Sequence, residues 1–217
     1  PDEDEVAEAL KGDVDNLGNI FQQGLSAPTF AKMAALSRQM NHFFSLWLPA
    51  FCAEKYPDTY TVFAGGDDFF LIGPWLQTQK LAAEMREQFR RYVAENAAIT
   101  FSAGIAVIKP GLPPGKLSAY AEEALEAAKA YPANENEKRK QLGSKNSVCV
   151  YGQVVSWQQW SGIQEAFERI GRLKEAYGLS TGFVYSMLQF CEQAEAEKGG
   201  DINAGMWRSR FAYRTRR

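Results

Sequence analysis

The chain has 217 residues, of which 46% are hydrophobic and 23% are charged, and its formal net charge at pH 7 is −2. This composition is typical of a globular protein with a buried core, and it excludes a uniformly basic protein that binds nucleic acid through its overall charge. No apolar run approaches the ~20 residues that span a membrane, so no membrane partner is expected.

The first elements predicted along the chain are a strand and two helices. Residues 6–13 are expected to form the strand, which ends in the stretch GDVDNLG, and residues 16–24 a short helical turn. Pro28 opens a longer helix, whose apolar residues recur at three- and four-residue steps and whose pattern fades near residues 49–52.

A hairpin and another helix are predicted next. Residues 59–64 and 69–72 are rich in aromatic and β-branched side chains, which indicates two short strands. Gly65 and Gly66 are expected to provide the tight turn between these strands. Residues 75–96 then carry the apolar periodicity of an amphipathic helix.

The next segment adds a strand with two different faces. Residues 99–108 alternate between bulky and small side chains, so one face of this strand is predicted to be bulky and the other small. Residues 117–130 are predicted to form a further helix, residues 132–146 a polar loop, and residues 147–151 a last strand.

This order of elements predicts the fold class. A βαββαβ core with an appended helix–strand is typical of a ferredoxin-like palm, so we expect an α+β protein. After Gly152 the pattern changes to amphipathic helices, which indicates a small all-α C-terminal domain. We therefore divide the chain into a palm domain, residues 1–153, and a helical domain, residues 154–217.

Carboxylates stand at the ends of two strands that a palm fold makes neighbours. Asp13 ends the first strand, and Asp67 and Asp68 lie at the hairpin tip. Paired carboxylates suit phosphoryl transfer, in which two Mg²⁺ ions clamp the attacking and leaving oxygens. Mg²⁺ takes hard oxygen ligands, so Asp13, Asp67 and Asp68 are predicted ligands, and the backbone carbonyl of Val14 is a further one.

Each of these motifs also has a structural interpretation. Gly-Gly-Asp-Asp is good turn chemistry, and Asp15 or Asn16 could cap the helix that follows the first strand. In the functional interpretation, Gly65 and Gly66 allow a triphosphate to approach the backbone closely, because neither has a side chain. The two motifs in this order, on these strands, favour the functional interpretation.

Other polar residues are candidates for nucleotide binding. The small-residue face around Ser102 could receive a flat base, with the Ser102 hydroxyl bonded to the base edge; ordinary packing of a helix on the sheet is the alternative. Lys129 and Lys145 could neutralise a triphosphate, or each could be a solvated lysine.

Cysteine and histidine exclude some classes of site. Cys52, Cys149 and Cys191 are far apart and none belongs to a CxxC pair, so we expect reduced thiols and a cytoplasmic location. The only histidine, His42, lies within a predicted helix and is expected to be structural. With one histidine and three separated cysteines, neither a zinc site nor a histidine-based nucleophilic triad is expected.

The stretches GDVDNLG, FAGGDDFFLIG and FSAGIAV together resemble the second palm domain of the large subunit of type III CRISPR effector complexes, best its Csm-type (III-A) branch. The C-terminal AGMWRSRFAYRTRR is similar to the end of that subunit's last helical domain. The resemblance covers essentially the whole chain. Full members also carry an HD nuclease domain and a first palm domain, neither of which is found here, so the resemblance implies that this chain supplies half of a nucleotide site.

The resemblance also implies an activity. That family makes cyclic oligoadenylates from ATP when its complex binds target RNA, which implies ATP as substrate and Mg²⁺, Mn²⁺ or Co²⁺ as the metal. Asp13, Asp67 and Asp68 would hold metals, and Asp67 or Asp68 would help to deprotonate a ribose 3′-OH. Gly65 and Gly66 would pass close to the phosphates, and Ser102 would lie near the adenine. The implied partners are the other subunits, guide RNA and target RNA.

Two alternatives remain open from the sequence. One is a diguanylate cyclase with a GGDEF-type hairpin, although Asp68 stands where that signature has glutamate and the helical domain is foreign to it. The other is a non-catalytic ribonucleoprotein scaffold. Arg208, Arg210 and Arg214, interleaved with aromatic residues, fit contacts with RNA or with another subunit.

Overall fold

A computed structural model of the protein describes residues 6–24, 27, 29–108, 112–130 and 145–216. The chain divides into two compact units, Pro1–Gly162 and Ile163–Arg217. Pro28 and residues 131–144, which include most of the predicted polar loop, lie outside the described residues.

The first unit is built on a six-stranded sheet. Its strands are β1 (Ala7–Val14), β2 (Tyr60–Gly65), β3 (Asp68–Pro74), β4 (Phe101–Ile108), β5 (Ser147–Val150) and β6 (Gln153–Ser156). Its helices are α1 (Leu17–Gln23), α2 (Phe30–His42), a π-helical segment (Phe43–Trp47), α3 (Leu48–Lys55), α4 (Trp75–Tyr92), α5 (Pro114–Lys129) and the start of α6 (Trp157–Tyr177).

The strand order is β2-β3-β1-β4-β5-β6. The first four strands pair antiparallel, as a βαββαβ palm requires, and β5 is added parallel to β4 after the crossover helix α5. The predicted α+β palm with an appended helix–strand is therefore confirmed. β6 was not predicted; it pairs with β5 because Tyr151 and Gly152, with φ of 52° and 74°, reverse the chain tightly.

Helices cover both faces of this sheet. Gln79 of α4 donates a hydrogen bond to Glu8 of β1, whereas Lys11 of β1 donates one to Glu122 of α5. Because successive side chains of a strand point to opposite faces, α4 and α5 lie on opposite sides of the sheet.

The helix predicted to fade near residues 49–52 continues to Lys55. Pro49 is accommodated because it occupies the first turn of α3, where a helix has no need of a backbone N–H donor. The preceding turn is a wide π turn, in which the Leu48 N–H donates to the Phe43 carbonyl. In contrast, α4 ends at Tyr92, short of residue 96, because Ala94 and Glu95 adopt left-handed conformations.

Aromatic rings fill the core on the α4 side of the sheet. Phe44 stacks on Phe69 at 5.4 Å, and Phe69 meets Phe101 edge to face at 5.8 Å. All three rings are fully buried. Since Phe69 follows Asp68 directly, this packing fixes the base of the β2–β3 hairpin.

The second unit consists of helices, and those that follow α6 are α7 (Thr181–Lys198), a 3-10 segment (Ile202–Met206) and α8 (Trp207–Thr215). Ser180 caps α7 by accepting a hydrogen bond from the Phe183 N–H. Phe190 of α7 and Phe211 of α8 meet edge to face at 5.9 Å. Among the described helices, none is long and apolar enough to cross a membrane.

Candidate metal and nucleotide site

Strand register brings the predicted carboxylates together. Asp13 of β1 is the direct cross-strand partner of Asp68 of β3, so both side chains lie on the same face of the sheet. The Val14 N–H donates a 2.9 Å hydrogen bond to the carbonyl of Asp67, which holds the hairpin tip against the end of β1. Asp13, Asp67 and Asp68 therefore share one end of the sheet.

The hairpin turn is shifted by one residue from the prediction. Gly65 pairs with Asp68 and still belongs to β2, so the turn residues are Gly66 and Asp67 rather than Gly65 and Gly66. Gly66 has a φ of +66°, a conformation that glycine adopts without strain. Its N–H donates to the Asn41 side-chain oxygen at 2.8 Å, so the end of α2 supports the turn.

Burial and neighbouring carboxylates raise the pKa values of Asp13 and Asp68. Burial raises the pKa of Asp13, Lys129 opposes this rise, and the charges of Asp67 and Asp68 add to it. Burial also raises the pKa of Asp68, with a further contribution from Asp67, while Lys11 opposes it. Negative charge is thus concentrated at the hairpin tip, and a bound cation would relieve the repulsion.

Of the two lysines predicted to bind a triphosphate, Lys129 is the one that contacts a predicted carboxylate. Its Nζ lies 2.7 Å from an Asp13 oxygen, and the Glu126 carboxylate is 3.8 Å away. Burial alone would lower the pKa of Lys129, but the hydrogen bond and the charge of Asp13 outweigh it and raise the pKa above its ordinary value. Lys129 therefore remains a cation beside Asp13.

The position of Lys129 depends on the close approach of α5 to β4. A Cβ atom at Gly104 would lie 2.3 Å from the backbone nitrogen of Leu125, so only glycine allows this contact. The helix thus covers the small-residue face at Gly104. Of the two interpretations that the sequence left open for this face, helix packing is the one seen at Gly104.

Ser102 is likewise buried rather than open to a ligand. Its side chain is fully buried, and its hydroxyl donates to an Asp15 oxygen at 2.8 Å. Asp15 is 1% exposed and also accepts hydrogen bonds from the Thr100 hydroxyl at 2.7 Å and the Asn146 N–H at 2.8 Å. In this structure, Ser102 therefore supports Asp15 and does not present its hydroxyl to a nucleobase. Asp15 does not act as the helix cap that was its structural interpretation.

The remaining predicted residues form no hydrogen bond or ion pair with Asp13, Asp67 or Asp68 in the described part of the chain. Lys145 lies two residues before β5 and forms no ion pair with the described residues. In the second unit, Arg208 forms an ion pair with Glu197. Arg210 and Arg214 line a groove of that unit.

The carboxylates at the hairpin tip suit a magnesium ion that is shared with a substrate better than a metal ion held by protein side chains alone. Among the described residues, no group of three or more histidine, cysteine, aspartate or glutamate side chains is placed to hold a metal ion. Mg²⁺ is commonly held by one or two carboxylates together with substrate phosphates. The repelling pair Asp13 and Asp68, with Asp67 beside it, matches that requirement.

Sequence reasoning missed three residues that shape the site. Lys11 lies on the same face as Asp13, where its charge lowers the pKa of Asp68. Asp15 ties the ends of β1, β4 and β5 together, and Asn41 holds the hairpin turn. Alternation along β1 could have identified Lys11, whereas Asn41 and Asp15 act through contacts with residues distant in sequence.

A comparison with known proteins places the chain in a family. The family described as "Cas10/Cmr2, second palm domain" matches residues 7–148. A Methanocaldococcus jannaschii protein named CRISPR system single-strand-specific deoxyribonuclease Cas10/Csm1 (subtype III-A) is 36% identical over 160 residues, covering 68% of this chain and 20% of that protein. A Thermococcus onnurineus protein of the same name is 32% identical over 207 residues, covering 84% and 25%. This chain thus spans a fifth to a quarter of these relatives.

Solved structures share the fold. A Csm1–Csm4 cassette in complex with cA3 gives a TM-score of 0.70 at 22% identity, covering 92% of this chain and 30% of that one. A Csm1–Csm4 cassette in complex with AMPPNP gives a TM-score of 0.67 at 23% identity, covering 93% and 30%. The resemblance seen in the sequence is confirmed: the chain belongs to the Cas10/Cmr2 family and contains its second palm domain.

Proposed function

We propose that this chain supplies the metal- and ATP-binding half of a nucleotidyltransferase site that makes cyclic oligoadenylates within a type III CRISPR complex. The observation that supports it most directly is the in-register pair Asp13 and Asp68, with Asp67 in the adjoining turn and Lys129 beside Asp13. Three carboxylates and a cation thus share one end of the palm sheet, and such carboxylates would bind the metal ions that phosphoryl transfer uses.

The proposed reaction joins two ATP molecules by a phosphodiester bond. The 3′-oxygen of one ribose forms a bond to the α-phosphorus of the other ATP, and the bond from that phosphorus to the β-phosphate oxygen breaks, releasing pyrophosphate. The hydroxyl proton passes to the carboxylate of Asp67 or Asp68. Repetition of this step, followed by closure of the chain on itself, yields a cyclic product.

The residues of this chain have distinct proposed tasks. Asp13, Asp67, Asp68 and the Val14 carbonyl would hold Mg²⁺, Mn²⁺ or Co²⁺, which when bound supplies charge stabilisation for the attacking and leaving oxygens. Lys129, already a cation at Asp13, neutralises charge on the triphosphate.

The backbone at the hairpin leaves room for phosphates. A Cβ atom at Gly65 would meet nothing closer than 3.7 Å, so its lack of a side chain is not required by the protein's own packing. Gly66 stands at the exposed turn. We assign both to phosphate approach, and we assign Lys145 to the triphosphate as well. Ser102 we assign to the support of Asp15 instead of the adenine.

We further propose partners and location. Because the matched structures are Csm1–Csm4 assemblies, we propose that this chain works with another subunit of that kind, together with guide RNA and target RNA, in the cytoplasm. A first palm domain would supply the other half of the nucleotide site. No observation favours the diguanylate cyclase alternative, since the family and the relatives that match are Cas10 proteins.

The test uses the assembled complex with target RNA bound. Asp67 and Asp68 are both changed to alanine, and products formed from ATP are separated by chromatography. We expect cyclic oligoadenylate formation to be lost while the complex still assembles. Persistent product formation in the double variant would show that these carboxylates are not the catalytic groups.

A further inference from the structure

A groove of about 570 Å³ lies between α7 and α8 in the second unit. Its walls and floor include Gln189, Phe190, Gln193, Arg210, Tyr213 and Arg214. These residues combine basic, amide and aromatic side chains, and the proposed nucleotidyl transfer uses none of them.

The charge of the groove is positive and uncompensated. Arg210 and Arg214 are four residues apart on α8, so they lie on the same helix face, separated by about 6 Å along its axis. Neither guanidinium forms an ion pair with any described residue, whereas the neighbouring Arg208 is held by Glu197. No acidic residue is among the described residues that line the groove. Its ligand is therefore expected to be anionic.

Aromatic surface lies beside these charges. Tyr213 is 84% exposed, so its ring is accessible to a ligand in the groove. Phe190, which is 9% exposed and braced by Phe211, forms an apolar floor. Exposed rings next to guanidinium groups are how proteins stack the bases of a single strand while holding its phosphates.

Gln193, which lines the groove, carries a hydrogen-bond acceptor without a donor. The side-chain oxygen of Gln193 is buried and has no hydrogen-bond partner among the described residues. A buried acceptor without a partner is costly, so a ligand that donates a hydrogen bond is favoured. The 2′-hydroxyl of RNA is such a donor, and it is the group that DNA lacks.

We propose that this groove is a binding site for single-stranded RNA. Arg210 and Arg214 hold successive phosphates, Tyr213 stacks on a base, and the Gln193 oxygen accepts a hydrogen bond from a 2′-hydroxyl. The proposal goes beyond nucleotidyl transfer, because its residues all belong to the second unit and it predicts RNA binding by the chain itself.

The first experiment measures binding of a short labelled RNA of mixed sequence to the 217-residue chain by fluorescence anisotropy at several salt concentrations. Changing Arg210 and Arg214 to alanine should weaken binding at least about tenfold and reduce the salt slope by about 1.4, since each lost phosphate contact contributes about 0.7 for a single strand. The matched control changes Arg169 and Arg172, two exposed arginines on α6, and should bind as the parent does.

Further variants separate the parts of the proposal. Tyr213→Ala should weaken binding several-fold with an unchanged salt slope, and Tyr213→Phe should bind as the parent does, because a phenyl ring still stacks. Gln193→Met should reduce the preference for RNA over DNA of the same sequence. Circular dichroism and thermal unfolding establish that each variant is folded. Replacing Arg210 and Arg214 by lysine instead of alanine should restore the salt slope, because lysine keeps the positive charge.

Four results would overturn the proposal. The first is that the groove double variant binds RNA as tightly as the parent. The second is that the Arg169 and Arg172 control loses as much affinity as that variant. The third is that the parent binds DNA and RNA equally. The fourth is that an acidic peptide rich in glutamate displaces the labelled RNA as effectively as unlabelled RNA does, which would make the groove a protein-binding surface. Retention of the groove-dependent RNA binding by a chain with Asp67 and Asp68 changed would show that this site is independent of the proposed nucleotidyl transfer.

Discussion

Replacing Glu8 by glutamine should stabilise the protein in alkaline but not in acidic solution. Glu8 is fully buried on β1, and burial raises the pKa of its carboxyl from 4.5 to about 7, an effect that the hydrogen bond from Gln79 only partly offsets. The folded protein therefore binds this proton more tightly than the unfolded chain. Stability from this group is fully present below pH 4.5, declines as the pH rises to about 7, and is lost above it.

The magnitude follows from the displacement of the pKa. One pKa unit corresponds to about 1.4 kcal/mol, so a rise from 4.5 to about 7 corresponds to about 3 kcal/mol in the free energy of unfolding. Glutamine keeps the oxygen to which Gln79 donates but carries no charge at any pH. The Glu8→Gln variant should thus gain up to about 3 kcal/mol relative to the parent above pH 7, and little near pH 4.5.

Urea unfolding at pH 5 and at pH 8 measures this difference. The control is Glu54→Gln, which removes a carboxylate from the exposed surface of α3 and should change stability little at either pH. The reasoning is refuted if Glu8→Gln destabilises the protein at pH 8, or if its effect is the same at both pH values.

The hairpin glycines should respond differently to alanine, and Asn41 should act through one of them. Gly65→Ala should leave the free energy of unfolding within about 0.5 kcal/mol of the parent, since its Cβ would meet the protein no closer than 3.7 Å. The same Cβ should weaken Mg²⁺–ATP binding by occupying the space assigned to the phosphates. Calorimetry that finds unchanged ATP affinity would contradict this assignment of Gly65. Gly66→Ala should cost about 1 kcal/mol in stability, because its φ of +66° strains an alanine. Asn41→Ala should cost about 1 kcal/mol by leaving the Gly66 N–H without its acceptor, as urea unfolding would report. Ser45→Ala is the matched control, because the Ser45 hydroxyl donates only to the Asn41 carbonyl, and equal losses in the two variants would contradict a role for the Asn41 side chain.

The architecture of the palm could be predicted because its signals are local. The alternating residues in 99–108 and the apolar periodicity of α4 indicate a strand and a helix without knowledge of the fold. A slip of one residue would exchange the two faces of β1 and would move Asp13 away from the face that carries Asp68. The meeting of Asp13 with Asp68 is therefore implied by the strand pattern once the palm topology is assumed.

The details of the site could not be predicted because they depend on contacts between distant residues. The small face around Gly104 looks the same in sequence whether a base or a helix lies on it, and the backbone of α5 decides the matter. Similarly, a Gly-Gly-Asp-Asp hairpin can turn at either glycine, and the hydrogen bond from Gly66 to Asn41 stabilises one of these turns.

The two aspartates of GDVDNLG show how a short distance in sequence can separate two roles. Asp13 and Asp15 are two residues apart, so a continuous strand would place both on one face. β1 ends at Val14, however, and Asn16 adopts a left-handed conformation with a φ of 54°, so the chain turns at Asp15. Asp15 then accepts three hydrogen bonds in the interior, while Asp13 keeps its place beside Asp68 and Lys129. Asp15 fixes the strand ends that position Asp13, which is why a motif with two carboxylates provides only one candidate carboxylate ligand.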